Sequence, residues 1–93
     1  MKTAKEKPRR RADAAAPITY GEAMALLALR DGVASDGQQQ MALKWIIGQA
    51  CQKMEFPYHD TERDTAFALG RRFVADQITG VFYMDIESLR KSE

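Results

Sequence analysis

Three groups of side chains in this 93-residue chain are of types that could do chemistry. Cys51 with His59 and Asp60 supplies a thiol, an imidazole and a carboxylate, the parts of an activated nucleophile. Asp60, Glu62 and Asp64 supply paired carboxylates for acid and base work. Gly70-Arg71-Arg72 supplies a small residue and two planar cations, which suit an anion. Each group also has a structural explanation. Cys51 falls on the apolar face of a predicted helix, where a thiol behaves as a small inert hydrophobe. His59 then reads as a loop histidine satisfied by neighbours or solvent. A metal needs three or four ligands, and one cysteine with one histidine leaves carboxylates to complete the set at spacings that do not suit it. The three acids stand where a helix starts, and the positive end of that helix accounts for them. Gly70-Arg71-Arg72 alone is not a glycine-rich phosphate loop. No catalytic, cofactor-binding or metal-ligating residue is assigned, and the reading is a non-enzyme.

The elements that would carry these residues are helices. Thr19 and Glu22 have the spacing of a capping box, a run of Ala, Met and Leu follows, and Gly32 supplies a left-handed stop. This predicts a helix over 20–31. Ser35 and Gln38 repeat the opening, and Pro57 bounds the second helix, predicted over 36–54. On it Leu43, Ile46, Ile47, Ala50, Cys51 and Met54 share one face at 100° per residue. Met41, Trp45, Gly48 and Gln52 form a second stripe. Either the other two helices flank this one on both sides, or the Trp45 stripe meets another chain. The loop Glu55–Asp60 should fold Phe56 and Tyr58 back over the edge of the core. Asp60 or Thr61 caps a third helix, predicted over 62–79, and Asp85 caps a short fourth from Ile86 to Lys91. Val81–Met84 suits either continued helix or extended chain.

Within the third helix, Ala66, Phe67, Leu69, Phe73, Val74 and Ile78 occupy one half of the circumference. That half is expected to face inward, with Gly70 near its middle admitting a neighbouring backbone. Arg72 points away and Arg71 lies at the rim, so both are expected on a wet outer face. The predicted architecture is all-α: a single bundle of three main helices plus a short C-terminal one.

Length allows one small domain, here 17–93. A single cysteine cannot form an internal disulfide, which suits a reducing compartment. No apolar run approaches the roughly 18 residues that span a bilayer, so no membrane association is expected. The net charge of +1 hides a division. Residues 1–16 carry six cations against Glu6 and Asp13, and the remainder is acidic on balance. Apart from Met1 these residues lack large apolar side chains and read as a disordered basic arm. Arg9, Arg10 and Arg11 are the candidate contacts to nucleic acid or an acidic protein surface.

The segment Ala66-Phe67-Ala68-Leu69-Gly70-Arg71-Arg72, preceded by Leu43-Lys44-Trp45-Ile46-Ile47 and an aromatic loop, resembles a family of short tailed-bacteriophage proteins named after a Bordetella phage. Its members carry an apolar helix with a central tryptophan and an Ala-Phe-x-x-Gly-Arg-Arg element. The resemblance implies a phage-encoded protein of the head and tail assembly genes, located in the virion or the host cytoplasm. It implies no reaction. The role it implies is that of a virion or assembly accessory protein, with the head–tail or portal region as the expected place. Its partners would be other phage structural proteins and further copies of itself. The interaction residues would be Met41, Trp45, Arg71 and Arg72 together with Arg9, Arg10 and Arg11. The alternative is a small nucleic-acid-binding regulator or packaging accessory that uses the arm. At this size an inhibitor of a host protein is a third.

Overall fold

Local hydrogen bonds set the helix boundaries. The computed structural model describes residues 11–93, and the arm residues Arg9 and Arg10 lie outside them. Helix α1 spans Tyr20–Arg30. The Thr19 hydroxyl accepts from the Glu22 N–H at 3.2 Å, and the Glu22 carboxylate accepts from the Thr19 N–H at 3.0 Å. Two donors that a helix start leaves unpaired are thus satisfied reciprocally. The other end closes through Gly32 at φ +75°. Its N–H donates to Leu29 and the next N–H, of Val33, reaches back to Ala28. That pair of bonds is a Schellman stop, which needs a residue comfortable at positive φ.

Helix α2 spans Asp36–Trp45 and opens with the same reciprocal device between Ser35 and Gln38. The predicted helix over 36–54 does not continue as an α-helix. From Ile46 to Ala50 the chain widens into a π-helix, and Cys51 donates to Ile46 five residues back. A wider turn takes up an extra residue. A 100° wheel therefore loses register after Trp45, and Met54 ends up 90% exposed in the following loop. The segment closes on Gln52, buried and left-handed at φ +52°, while the Lys53 N–H donates to Ile47.

Helix α3 spans Glu62–Val81, two residues beyond the predicted end, and its N-cap is Thr61. The Thr61 hydroxyl accepts from the Asp64 N–H at 3.1 Å. Val81 to Met84 resolves as the last helical residue followed by a tight turn, with the N–H groups of Phe82, Tyr83 and Met84 each donating three residues back. Helix α4 spans Ile86–Ser92 behind its cap Asp85, whose carboxylate accepts from the Glu87 N–H and the Ser88 hydroxyl. The described chain is all-α, as expected.

The packing is thin and alanine-based. Helix α1 lies against α2, and α3 meets the π-helical segment. The buried residues of these helices are Ala25 in α1, Ala42 in α2, and Ala68 and Ala75 in α3. Small side chains let backbones come close, so contact is made with little side-chain volume. No large side chain among the described residues is fully buried. Among the described residues, α4 packs on no other helix.

This arrangement corrects the orientation expected for α3. Phe67 and Phe73 face outward, at 49% and 61% exposure, and Leu69, Val74 and Val81 accompany them. A side chain built at Gly70 would meet nothing within 4 Å, so no neighbouring backbone uses the space there. The inward line is instead Thr65, Ala68, Arg71, Ala75, Ile78 and Thr79. The small Ala68 and Ala75 fit against the π-helical segment, where phenylalanine rings would force the two elements apart.

Candidate functional site

The residue that ties these elements together is Arg71. Three turns into α3, its half-buried side chain runs along the inward line. Nε and Nη2 both donate to the Ala50 carbonyl, at 2.9 and 2.7 Å. Nη1 donates to the carbonyls of Ala12 and Ala14, at 2.7 and 3.2 Å. The Ala50 carbonyl belongs to the last residue of the π-helix, where carbonyls lack helical donors and a cation meets the negative end of the dipole. One guanidinium therefore joins α3, the end of the π-helix and the segment before α1. Its planar fork of donors suits three separate acceptors. The Phe67 ring lies 5.9 Å from the guanidinium carbon, one turn earlier on α3.

These contacts correct two expectations. Arg71 is not on a wet outer face but is spent on backbone carbonyls. Part of the expected arm is also ordered: Ala12 is buried, the Ala14 N–H donates to Arg11, and Arg71 holds both alanine carbonyls. Arg11 pairs with Asp13 at 3.2 Å, both side chains exposed. Arg72 does stay exposed, as expected. The signal that could have located Arg71 is its spacing. Ala68, Arg71, Ala75 and Thr79 recur at intervals of three and four, a narrow line of small residues opposite the more conspicuous aromatic one.

The second stripe of α2 is also partly committed. Trp45 is half-buried, and its indole N–H donates to the Pro17 carbonyl at 2.9 Å. Met41 remains exposed, with its sulfur beside Gly21 of α1. Met41 and Trp45 line an open groove of about 510 Å³ with Thr19, Glu22, Gly37 and Lys44. Trp45 is thus an anchor for the chain entering α1 and one wall of this groove.

The amide-rich residues of α2 and of the segment after it are occupied in part, with Gln40 and Gln49 left exposed. Gln38 serves its cap, Gln39 donates to the Ala34 carbonyl and Gln52 is buried. Lys53 reaches across to Asp76 of α3. That ammonium, by its hydrogen bond, holds the Asp76 carboxyl below its usual range; slight desolvation opposes this, and the charges of Lys53 and Arg72 add to it. A depressed folded pKa stabilises the fold above the ordinary aspartate value, and the contribution is lost as pH falls through the folded value. Asp76→Asn is therefore expected to melt below the unmodified protein at neutral pH. Thermal melts along a pH series should show the two curves converging as the solution is made more acidic than pH ~4.

The other candidate groups do not converge. Cys51 is buried at the end of the π-helix. His59 is held through its backbone, its N–H donating to the Thr65 hydroxyl at 2.8 Å. In the same loop only Pro57 is buried. Phe56 and Tyr58 contact each other with ring centres 5.3 Å apart and stay mostly exposed, contrary to the expectation that they cover the core. Among the described residues no three acids, cysteines or histidines are grouped to hold a metal ion. No described helix is long and apolar enough to cross a membrane.

These features define a small all-α protein whose described surface presents apolar helix faces. No family model, curated protein or solved structure matches the chain.

Proposed function

We propose that this chain is a non-enzymatic accessory protein of a bacteriophage particle or of its assembly, acting through protein–protein contacts, with the head–tail or portal region as its place of action. The observation that carries the interaction role is the outward position of the apolar face of α3, where Phe67, Phe73, Val74 and Val81 stand in solvent. Monomers rarely leave such continuous faces open without using them. The phage setting rests on the resemblance of the Ala66-Phe67-x-x-Gly70-Arg71-Arg72 element. Arg71 and Trp45 serve this role indirectly, by holding the segment before α1 in place. The exposed groups left for partners are Met41, Arg72 and the outer face of α3.

Mass spectrometry of purified particles and of assembly intermediates from the encoding phage tests the proposal. The expected result is the chain in constant ratio to a head or tail protein. Its absence from both preparations overturns the reading. A salt-titrated mobility shift with duplex DNA tests the regulator alternative. Salt-sensitive binding that is lost on removal of residues 1–10 and outweighs any particle association would favour that alternative, whereas binding that survives the removal would place nucleic-acid contact on the folded body.

A further inference from the structure

The outer face of α3 has a composition that can be covered by itself. Viewed down the helix, Ala66, Gly70, Phe73, Val74, Gln77, Gly80 and Val81 fall on the side opposite the inward alanines, with Phe67 and Leu69 at its edges. Along the chain the residues are not evenly distributed. Ala66 and Gly70 make the first half shallow, and Val74 and Val81 make the second half bulkier. Gly70 has open space around it, so another helix can come close there.

We propose that two copies of this chain pair through these faces, with their α3 helices antiparallel about a two-fold axis near Phe73 and Val74. Antiparallel pairing lays the shallow end of one helix against the bulky end of the other. Ala66 then opposes Val81, Gly70 opposes Gln77, and Phe67 sits over Gly80. Parallel pairing would stack the two Phe73 rings and leave a gap between the glycines. Charge agrees with this orientation. Arg63 has no ion pair among the described residues, and it comes to the level of Asp85 in the second copy.

Area also favours a second copy. The exposed parts of Ala66, Phe67, Leu69, Phe73, Val74 and Val81 amount to roughly 500 Å² of apolar surface per copy. A standard interface uses about 800 Å² per partner, polar rim included. The chain's own residues 1–10 are a poor alternative cover. Five of the ten are Lys or Arg, and Met1 is the one large apolar residue. The pairing extends the interaction reading above without requiring its phage setting, so loss of one leaves the other standing.

Light scattering on the full chain tests the pairing. The expected mass is about twice 10.5 kDa at tens of micromolar or below. Phe73→Glu and Gly70→Leu should both give the single-chain mass, with affinity weakened at least about 100-fold. Both positions are exposed in the single chain, so far-UV circular dichroism should show helix content retained. Gly70→Leu is the sharper variant, because it improves helix propensity and blocks only the close approach. In oxidising buffer, a mixture of Ala66→Cys and Val81→Cys chains should cross-link to each other, and neither should cross-link to itself. A single-chain mass for the unmodified protein up to about 0.1 mM overturns the proposal. So does an oligomer untouched by both substitutions. Self-cross-linking of Ala66→Cys overturns the antiparallel arrangement. If deleting residues 1–10 converts a monomer to a dimer, the arm is the natural cover and the proposal fails for the intact chain.

Discussion

Replacing Arg71 with alanine is expected to lower the melting temperature by roughly 10 °C or more, the largest single-residue effect in the molecule. The change strands the Ala50 carbonyl and removes the donor that holds the Ala12 and Ala14 carbonyls. Hydrogen bonds from a charged group contribute about 1.5–3 kcal/mol each when well buried. The side chain is half-exposed and water can replace part of what is lost, so a total near 3 kcal/mol is the expected scale. Arg71→Lys should recover less than half of it. An ammonium is a point charge and cannot reach three carbonyls from separate segments at once. Arg72→Lys, one position on and exposed, should change stability by less than about 0.5 kcal/mol. Differential scanning calorimetry on the three variants checks the ordering. Equal effects at the two arginines would mean that the Arg71 contacts contribute little. Hydrogen exchange adds a second signature: Arg71→Ala should raise exchange at residues 12–18 before it does so within α1.

Enlarging an alanine is expected to do more damage than truncating a leucine, the reverse of an ordinary core. Ala42 and Ala25 are wholly buried, in α2 and α1, while Leu27 and Leu43 are each about two-fifths exposed. Ala42→Leu forces three extra carbons between closely approaching helices and should cost about 1–3 kcal/mol. Leu43→Ala removes contacts that are already half wet. It should cost about 1 kcal/mol or less, below the 2–5 kcal/mol of a fully buried leucine. Denaturant titrations of Ala42→Leu, Ala25→Leu and Leu43→Ala decide the matter. A larger midpoint shift for Leu43→Ala than for either alanine variant would show that the apolar face of α2 is buried in solution, by a partner if not by this chain. That outcome would also need the pairing of copies to involve α2.

The same physics explains the double character of α3. Its inner line is narrow and small because it must lie close to the π-helical segment. Its outer line is broad and aromatic, and among the described residues nothing covers it. The Lys53–Asp76 pair and the Arg71 fork hold the inner line in register from either side, which leaves the outer face fixed in orientation. A rigid, oriented apolar face costs less to dock than one that must be ordered on contact.

Helix starts were legible from residue order alone, and the reason is distance along the chain. Thr19 with Glu22, Ser35 with Gln38, Thr61 with Asp64 and Asp85 with Ser88 are hydrogen-bonded pairs three residues apart. The Gly32 stop likewise uses bonds within one turn. Such signals need no knowledge of the remaining fold, so the all-α class and the starts of all four helices could be read directly. The inward face of α3 could not. Its aromatic half carries the greater hydrophobicity, but the tertiary structure turned the alanine line inward, because closeness to the π-helical segment admits only small side chains there. The role of Arg71 was hidden for a related reason: its acceptors, Ala50 and Ala12, lie 21 and 59 residues away. They are backbone carbonyls, which every residue possesses and which leave no mark in a sequence. The π-helix is a third such decision: its wide turn closes through the Cys51 N–H on the Ile46 carbonyl, with Cys51 and Gln52 buried.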